Sequence, residues 1–263
     1  MSGEDVALTD GAQLFVKLLG VDGKSKPLLN VLHGAPGLSN REDPEPYSVF
    51  LQPQFHDKAW VGDEKFILVG GSYEGLVAPQ YVLKFPARVT TLITRGTWTR
   101  GPLSTLAILK TILMSERIEP DPDRQLRCWS GNLLDDEDFT QAYLEIVPMF
   151  AAESPDREGP APLSFEAKKA FSSLENIYAA TQNFAFSYNV TKFDVRSKLK
   201  DIEVPTLSFV DVATWSFLSK RGKSWSMVSL IQLAIFEHWG HGPSLDESWA
   251  FQERVWEFLA PFQ

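Results

Sequence analysis

Short apolar runs alternate with turn residues along the first third of the chain, a pattern typical of strands joined by helices. The first two runs are residues 12–18, in which apolar and polar residues alternate, and residues 28–32. Residues 66–69 are continuously apolar, as a strand buried on both faces should be. Helix-like spacing follows until Pro86, and residues 89–93 begin another strand. This alternation predicts a mostly parallel sheet flanked by helices.

The middle of the chain has a different pattern, with apolar positions at helical spacing. The clearest predicted helices are 103–114 and 139–150, and a stretch rich in proline and charge, 151–162, predicts a loop. We therefore predict an α/β core over residues 1–97 and 201–263, interrupted by a helical insertion over 98–200.

The strand pattern returns near the end of the chain, at residues 206–210 and 233–236. A last helix is predicted over 246–259. Its predicted core-facing residues are Trp249, Val255, Trp256 and Leu259.

Composition narrows the classes of function. The 263 residues are 44% hydrophobic and carry a net charge of -9, so the chain can bury a full core but lacks a basic stripe for phosphates. We expect a small-molecule or short-peptide substrate and no nucleic-acid partner. The single cysteine, Cys128, cannot form an intramolecular disulfide, and the first residues are acidic, unlike a secretory signal. No apolar run reaches the roughly 18 residues of a membrane span. A cytoplasmic protein without a membrane partner is expected.

The first candidate for chemistry is Ser72, which lies between a predicted buried strand and a helix in the sequence GGSYEG, residues 70–75. Such a turn raises a nucleophile into a cleft, where the next backbone N–H can stabilise an oxyanion. Glu74 stands where the usual G-x-S-x-G pattern has glycine. This stretch alone is equally compatible with an ordinary glycine-rich turn or a phosphate-binding loop.

Two further segments favour the nucleophile. The sequence HGAPG at 33–37 follows an earlier strand. Hydrolases with a serine nucleophile on such a turn take one oxyanion donor from a loop at this place and one from the residue after the nucleophile. The amides of Ala35 and Tyr73 are therefore the predicted donors. The chain order of nucleophile, acid and base then predicts Asp211, at a strand end, as the acid and His241 as the base.

Together these segments resemble the proline iminopeptidase group of α/β-hydrolases. HGAPGLS at 33–39 matches that family's HGGPG oxyanion motif, and GGSYEG at 70–75 matches its GGSWGG elbow. FPARV at 85–89 with LITRGT at 92–97 is similar to its YPERV…LVLRGT run, and WGH at 239–241 stands where it has SGH.

The resemblance implies an α/β-hydrolase fold in which the helical insertion caps the active site. It also implies an aminopeptidase that uses a triad of Ser72, Asp211 and His241 and needs no metal or organic cofactor. The four histidines lack the H-E-x-x-H spacing of a zinc site, and His238, three residues before His241, is expected to be at most a neighbour of the base.

Two departures from the family pattern affect these expectations. Between Phe55 and Trp60 the family has another strand, a loop and a helix, and roughly thirty residues, about one strand-helix unit, are missing here. Loss of an interior strand would expose a sheet edge, which predicts marginal stability or self-association unless the neighbours re-pair. At the acid position, Asp211 aligns with the family only if three residues are lost; otherwise Thr214 takes its place.

The substrate cannot be assigned from these motifs. Proline iminopeptidases bind a free N-terminal amine with cap carboxylates, and residues 135–138 (DDED) with Glu145 lie in the corresponding region. An acidic run is more commonly a solvated face. Three functions stay open: an aminopeptidase, an ester or lactone hydrolase of small metabolites, and a catalytically impaired relative.

Overall fold

A computed structural model describes residues 3–7, 13–17, 28–32, 36–39, 56–57, 65–150, 176–211, 230–236 and 248–262. The strands within these ranges are β1 Gly3–Ala7, β2 Gln13–Lys17, β3 Leu28–Leu32, β4 Leu38–Ser39, β5 His56–Asp57, β6 Phe66–Gly71, β7 Val89–Arg95, β8 Asn176–Ile177, β9 Thr206–Asp211 and β10 Ile231–Phe236. The α-helices are α1 Glu74–Lys84, α2 Gly101–Leu113, α3 Pro122–Ser130, α4 Asp136–Ile146, α5 Ala179–Phe184 and α6 Ser248–Leu259. A π-helix, Ala185–Val190, continues α5.

Six strands form one sheet in the order β10-β9-β7-β6-β3-β5, and each neighbouring pair is parallel. All six residues of β6 are buried, as expected for a strand covered on both faces. Because side chains alternate along a strand, Phe66 and Leu68 pack with α1 on one face while Ile67 and Val69 pack with α6 on the other. The predicted parallel sheet flanked by helices is confirmed.

The last helix shows one error in the predicted core. Val255 and Leu259 are buried and Trp256 packs partly against the same cluster, but Trp249 is 76% exposed. α6 is described over Ser248–Leu259, and Phe251 occupies the first core-facing position in it.

The segment predicted to lack a strand contains a short one. His56 and Asp57 form β5, which pairs in parallel with Leu28 and Leu29 at the edge of the sheet. β3 pairs along its whole length with β6 on its other side. A strand of two residues therefore lies at this edge of the sheet. The predicted self-association stays a prediction.

Helices dominate the chain between β7 and β9. One of them, α3, was not predicted because its sequence, PDRQLRCWS, has few apolar residues. Its ends carry ordinary signals: the Asp121 side chain accepts hydrogen bonds from the amides of Asp123 and Arg124, and Gly131 closes the helix at a φ of 75°. The strands β4 and β8 pair in antiparallel fashion outside the main sheet and bring residues 38–39 to this helical region.

None of the helices in the described residues is long and apolar enough to cross a membrane.

Candidate active site

Ser72 lies between the carboxyl end of β6 and the first turn of α1, and its backbone has a φ of 54°. Among the described residues it is the only non-glycine residue with a positive φ. This left-handed conformation costs an L-residue on the order of 1–2 kcal/mol. A serine held in it at the strand-to-helix junction has the backbone of a nucleophile elbow.

Hydrogen bonds on both sides stabilise this turn. The Ser72 amide donates to Arg95 O at 2.8 Å, and the Gly75 amide donates to Ser72 O at 3.1 Å. The first bond reaches the end of the neighbouring strand β7, and the second closes the turn that enters α1. The elbow is therefore built on two adjacent strands and a helix rather than on a free loop.

Two glycines allow the close approaches that the elbow needs. A Cβ at Gly70 would lie 2.8 Å from Glu74 O, which is too close for any other residue. A Cβ at Gly75 would overlap the Thr97 side chain, which follows β7. The atoms of Glu74 closest to that position are its backbone carbonyl carbon and oxygen. The expected elbow thus forms despite the departure from G-x-S-x-G.

Tyr73 combines a predicted oxyanion amide with a side chain that reaches the helical region. Its amide donates no hydrogen bond within the described part of the chain and lies at the N-terminus of α1, where the helix dipole favours negative charge. Its hydroxyl accepts a hydrogen bond of 3.0 Å from Asn189 Nδ2 on the π-helix. Burial raises the pKa of Tyr73, and the nearby Glu74 carboxylate adds to this effect.

Asp211 is the last residue of β9, at the same end of the sheet as Ser72. The register aligns Gly71 with Arg95 and Arg95 with Phe209, and the Gly96 amide donates to Phe209 O at 3.1 Å. Because β7 lies between β6 and β9, the backbones of β6 and β9 are roughly 10 Å apart, which is twice the usual spacing between strands. The sheet therefore brings the Ser72 and Asp211 positions to one edge.

The other predicted site residues are Ala35, Thr214, His238 and His241, and all four lie outside the described residues. β10 ends at Phe236, five residues before His241, and Phe236 aligns with Asp211. The triad and the second oxyanion donor stay predictions.

The end of the predicted oxyanion loop is fixed to the helical region. The Tyr178 amide donates to Gly37 O at 2.7 Å, and Leu38 pairs with Ile177. The Leu38 side chain is buried in a cluster of side chains from the helical region, which comprises Cys128, Leu133, Phe139, Ala142 and Ala179.

The acidic run is occupied by structural contacts. Asp135 caps α4 by accepting from the Asp138 amide at 2.8 Å, and Asp136 Oδ1 accepts from the Ala179 amide at 2.7 Å. Glu137 Oε1 accepts from Gln141 Nε2, on the same helix, at 2.7 Å.

The last carboxylate of the run, Asp138, and the separate Glu145 join α3 to α4. Asp138 accepts two hydrogen bonds from Arg127, at 2.6 and 2.9 Å, and Glu145 pairs with Arg124. Each of the five carboxylates already has a partner within the helical region, so the free N-terminal amine of a substrate would have to compete for any of them.

Sequence reasoning did not identify Thr97 or Asn189 as neighbours of the elbow. Thr97 had a signal, because the LITRGT run at 92–97 places it directly after β7. Asn189 is 116 residues away from Tyr73 in the sequence, and no local pattern marks it.

Comparison with known proteins finds a curated relative and solved structures with a similar fold. No protein-family profile matches the chain. A curated protein named proline iminopeptidase PfmaB, from Pestalotiopsis fici, is 28% identical over 202 residues, which are 73% of this chain and 66% of that protein. The match thus spans slightly less than two thirds of the length of PfmaB.

Solved structures extend the similarity over nearly the whole chain. An esterase from Exiguobacterium antarcticum has a TM-score of 0.66 at 17% identity and covers 98% of this chain and 100% of its own. A proline iminopeptidase from Mycobacterium smegmatis has a TM-score of 0.64 at 14% identity, covering 99% and 98%. The chain therefore has the α/β-hydrolase fold.

Proposed function

We propose that this chain is a serine hydrolase that cleaves an acyl bond with Ser72 as the nucleophile. The observation that carries the proposal is the φ of 54° at Ser72, which is held between β6 and α1 by the hydrogen bond to Arg95. Strain of this kind persists where the surrounding structure enforces it, and such positions cluster at active sites.

In the proposed mechanism, the Ser72 hydroxyl attacks the acyl carbon while His241 accepts its proton. Asp211 orients the imidazole, and the amides of Ala35 and Tyr73 stabilise the oxyanion of the tetrahedral intermediate. His241 then protonates the leaving amine or alcohol. Water, deprotonated by His241, attacks the acyl-enzyme and releases the acid, which restores Ser72.

A proline iminopeptidase-like aminopeptidase is the first candidate activity. It is supported by the HGAPG and GGSYEG motifs and by similarity to PfmaB, which carries the name proline iminopeptidase. An aminopeptidase must bind a free N-terminal amine, so this candidate requires an anionic group close to Ser72.

An ester or lactone hydrolase is the second candidate, and the acidic run favours it. The carboxylates of residues 135–138 and of Glu145 are used for helix capping and ion pairs. Neutral esters need no such anion. The esterase from Exiguobacterium antarcticum has the same fold.

Two assays distinguish these candidates. The purified protein would be incubated with a fluorophosphonate probe, and the modified residue identified by peptide mass spectrometry; we expect labelling at Ser72. Labelling at another residue would contradict Ser72 as the nucleophile. A protein that stays unlabelled would contradict the proposal and favour the catalytically impaired relative.

The second assay compares prolyl-naphthylamide, its N-acetylated form and p-nitrophenyl esters. An aminopeptidase cleaves the first and loses activity on the acetylated form, because acetylation removes the amine charge. Cleavage of the esters alone would assign the protein to the second candidate. Ser72→Ala is the control in both assays.

A further inference from the structure

The segment from Tyr178 to Asn189 contacts two residues, Gly37 and Tyr73, that lie close to or at the predicted oxyanion donors. At one end, the Tyr178 amide bonds to Gly37 O, two residues after Ala35. At the other end, Asn189 Nδ2 bonds to the hydroxyl of Tyr73. One short piece of chain thus holds two loops that come from different strands of the sheet.

This segment is itself held firmly by the neighbouring helices. Asn183 Oδ1 accepts from the Leu133 amide at 2.8 Å, and Asn183 Nδ2 donates to Leu133 O at 2.9 Å. The Ala179 amide bonds to Asp136. Movement of the segment would therefore require these contacts to break as well.

The helix type at Asn189 supports a functional role. Residues 185–190 form a π-helix, a rare element that is frequently found at functional sites. Within it, Phe186 is buried between the rings of Tyr73 and Trp129, with centroid distances of 6.2 and 5.2 Å. The aromatic contact and the Asn189 hydrogen bond fix the Tyr73 ring at two points.

We infer that Asn189 is a positioning residue, which holds Tyr73 and thereby the elbow that carries the Ser72 hydroxyl and the Tyr73 amide. The inference rests on the proposed function for its catalytic consequence. A ring held through its hydroxyl restricts the backbone of the same residue, so the Tyr73 amide keeps one direction. Oxyanion stabilisation depends on such fixed donors.

The catalytic test compares Asn189→Ala, Tyr73→Phe and the double variant with a substrate that the wild type cleaves. Tyr73→Phe removes the hydroxyl and keeps the amide. We expect each single change to lower kcat about tenfold with KM changed less than about twofold, because an interaction realised in the transition state is weakened. The double variant should be no slower than either single one, since both remove one interaction.

The structural test does not depend on activity. Hydrogen exchange of the peptide containing residues 70–76 would be followed by mass spectrometry, and we expect faster exchange in Asn189→Ala than in the wild type. The matched control is Asn132→Ala, an exposed asparagine of the helical region whose side chain bonds only to Ser130 among the described residues. It should change neither kcat nor the exchange of this peptide.

The outcomes separate the two proposals. A wild type that fluorophosphonate does not label contradicts the proposed function, while unchanged exchange in Asn189→Ala overturns the positioning role whatever the activity. With a labelled wild type, an unchanged kcat in Asn189→Ala, or effects that multiply in the double variant, also overturns it.

Discussion

The Ser72 amide and the Arg95 carbonyl oxygen are joined by a hydrogen bond of 2.8 Å across adjacent parallel strands. Gly71 and Arg95 are the last paired positions of β6 and β7, and Ser72 is the residue after Gly71. Because it anchors the strained residue to a strand end, the left-handed backbone of Ser72 is a property of the sheet and does not depend on a bound substrate.

Replacing Ser72 separates its chemical role from its backbone strain. Both Ser72→Ala and Ser72→Gly remove the hydroxyl, so we expect both to abolish hydrolysis. Glycine adopts a positive φ freely, so Ser72→Gly removes about 1–2 kcal/mol of backbone strain. Its greater conformational entropy in the unfolded state lowers stability by roughly 0.5–1 kcal/mol relative to alanine, which is the smaller effect. Ser72→Gly should therefore unfold at a higher urea concentration than Ser72→Ala. The control is Ser115→Ala. Activity near the wild-type rate in either Ser72 variant would contradict the assignment of Ser72 as the nucleophile.

The base is tested with the two histidines that follow β10. We expect His241→Ala to lower kcat/KM by a factor on the order of 10³ or more, and His238→Ala far less, because only the base accepts the Ser72 proton. Steady-state kinetics on the same substrate measures both, and His238→Ala is the matched control. Equal losses would reassign the role.

The acid is tested by changing the two candidates at the end of β9. Asp211→Asn should lower kcat about 10⁴-fold, because an amide favours the wrong tautomer of the histidine. Thr214→Val, which removes a hydroxyl at nearly constant volume, should leave kcat within a few-fold of the wild type. A large loss of kcat in Thr214→Val, together with a normal kcat in Asp211→Asn, would contradict this assignment. It would show that the end of β9 aligns with the family pattern without the loss of three residues, which places Thr214 at the acid position.

Sequence patterns predicted those parts of the fold that depend on local order. The apolar run at 66–69 marked β6, the central strand of the site, and GGSYEG marked the turn after it, because both features reflect burial and backbone freedom at neighbouring positions. The helix α3 escaped prediction because its sequence has few apolar residues, and ion pairs contribute to its contact with α4. The Tyr73–Asn189 contact escaped because it depends on how distant elements pack.

Cys128 provides a test of packing under the predicted oxyanion loop. Its side chain is 1% exposed among Leu38, Phe139 and Ala142, and burial raises its pKa to about 12. The thiol therefore stays protonated at pH 8, and we expect no reaction with Ellman's reagent until urea unfolds the chain. Leu38→Ala, which opens the same cluster, should accelerate the reaction. Rapid labelling of the native wild type would show that the cluster is not closed.

The last prediction concerns acid stability and the ion pairs between α3 and α4. Asp138 accepts from Arg127 at 2.6 and 2.9 Å and lies 3.4 Å from Arg124, with its own side chain 9% exposed. The hydrogen bonds from Arg127 hold the pKa of Asp138 below its usual value, against the opposing effect of burial. The stabilisation is complete above the unfolded-state pKa of about 3.9 and is lost as the pH falls through the lower folded-state pKa. Asp138→Asn should therefore lower the free energy of unfolding by about 1.5–3 kcal/mol at pH 7, the range for hydrogen bonds to charged groups.

At pH 2.5 the wild type loses much of the same interaction, so the difference between it and Asp138→Asn should narrow. Urea unfolding at both pH values measures this. The matched control is Glu137→Gln, which makes the same charge change on the first turn of the same helix but at an exposed side chain bonded to Gln141. It should cost at most about 1 kcal/mol, the upper end of an exposed helix-dipole contribution. A difference for Asp138→Asn that is equal at the two pH values, or no larger than that of Glu137→Gln, would mean that the pair with Arg127 does not stabilise the junction of α3 and α4.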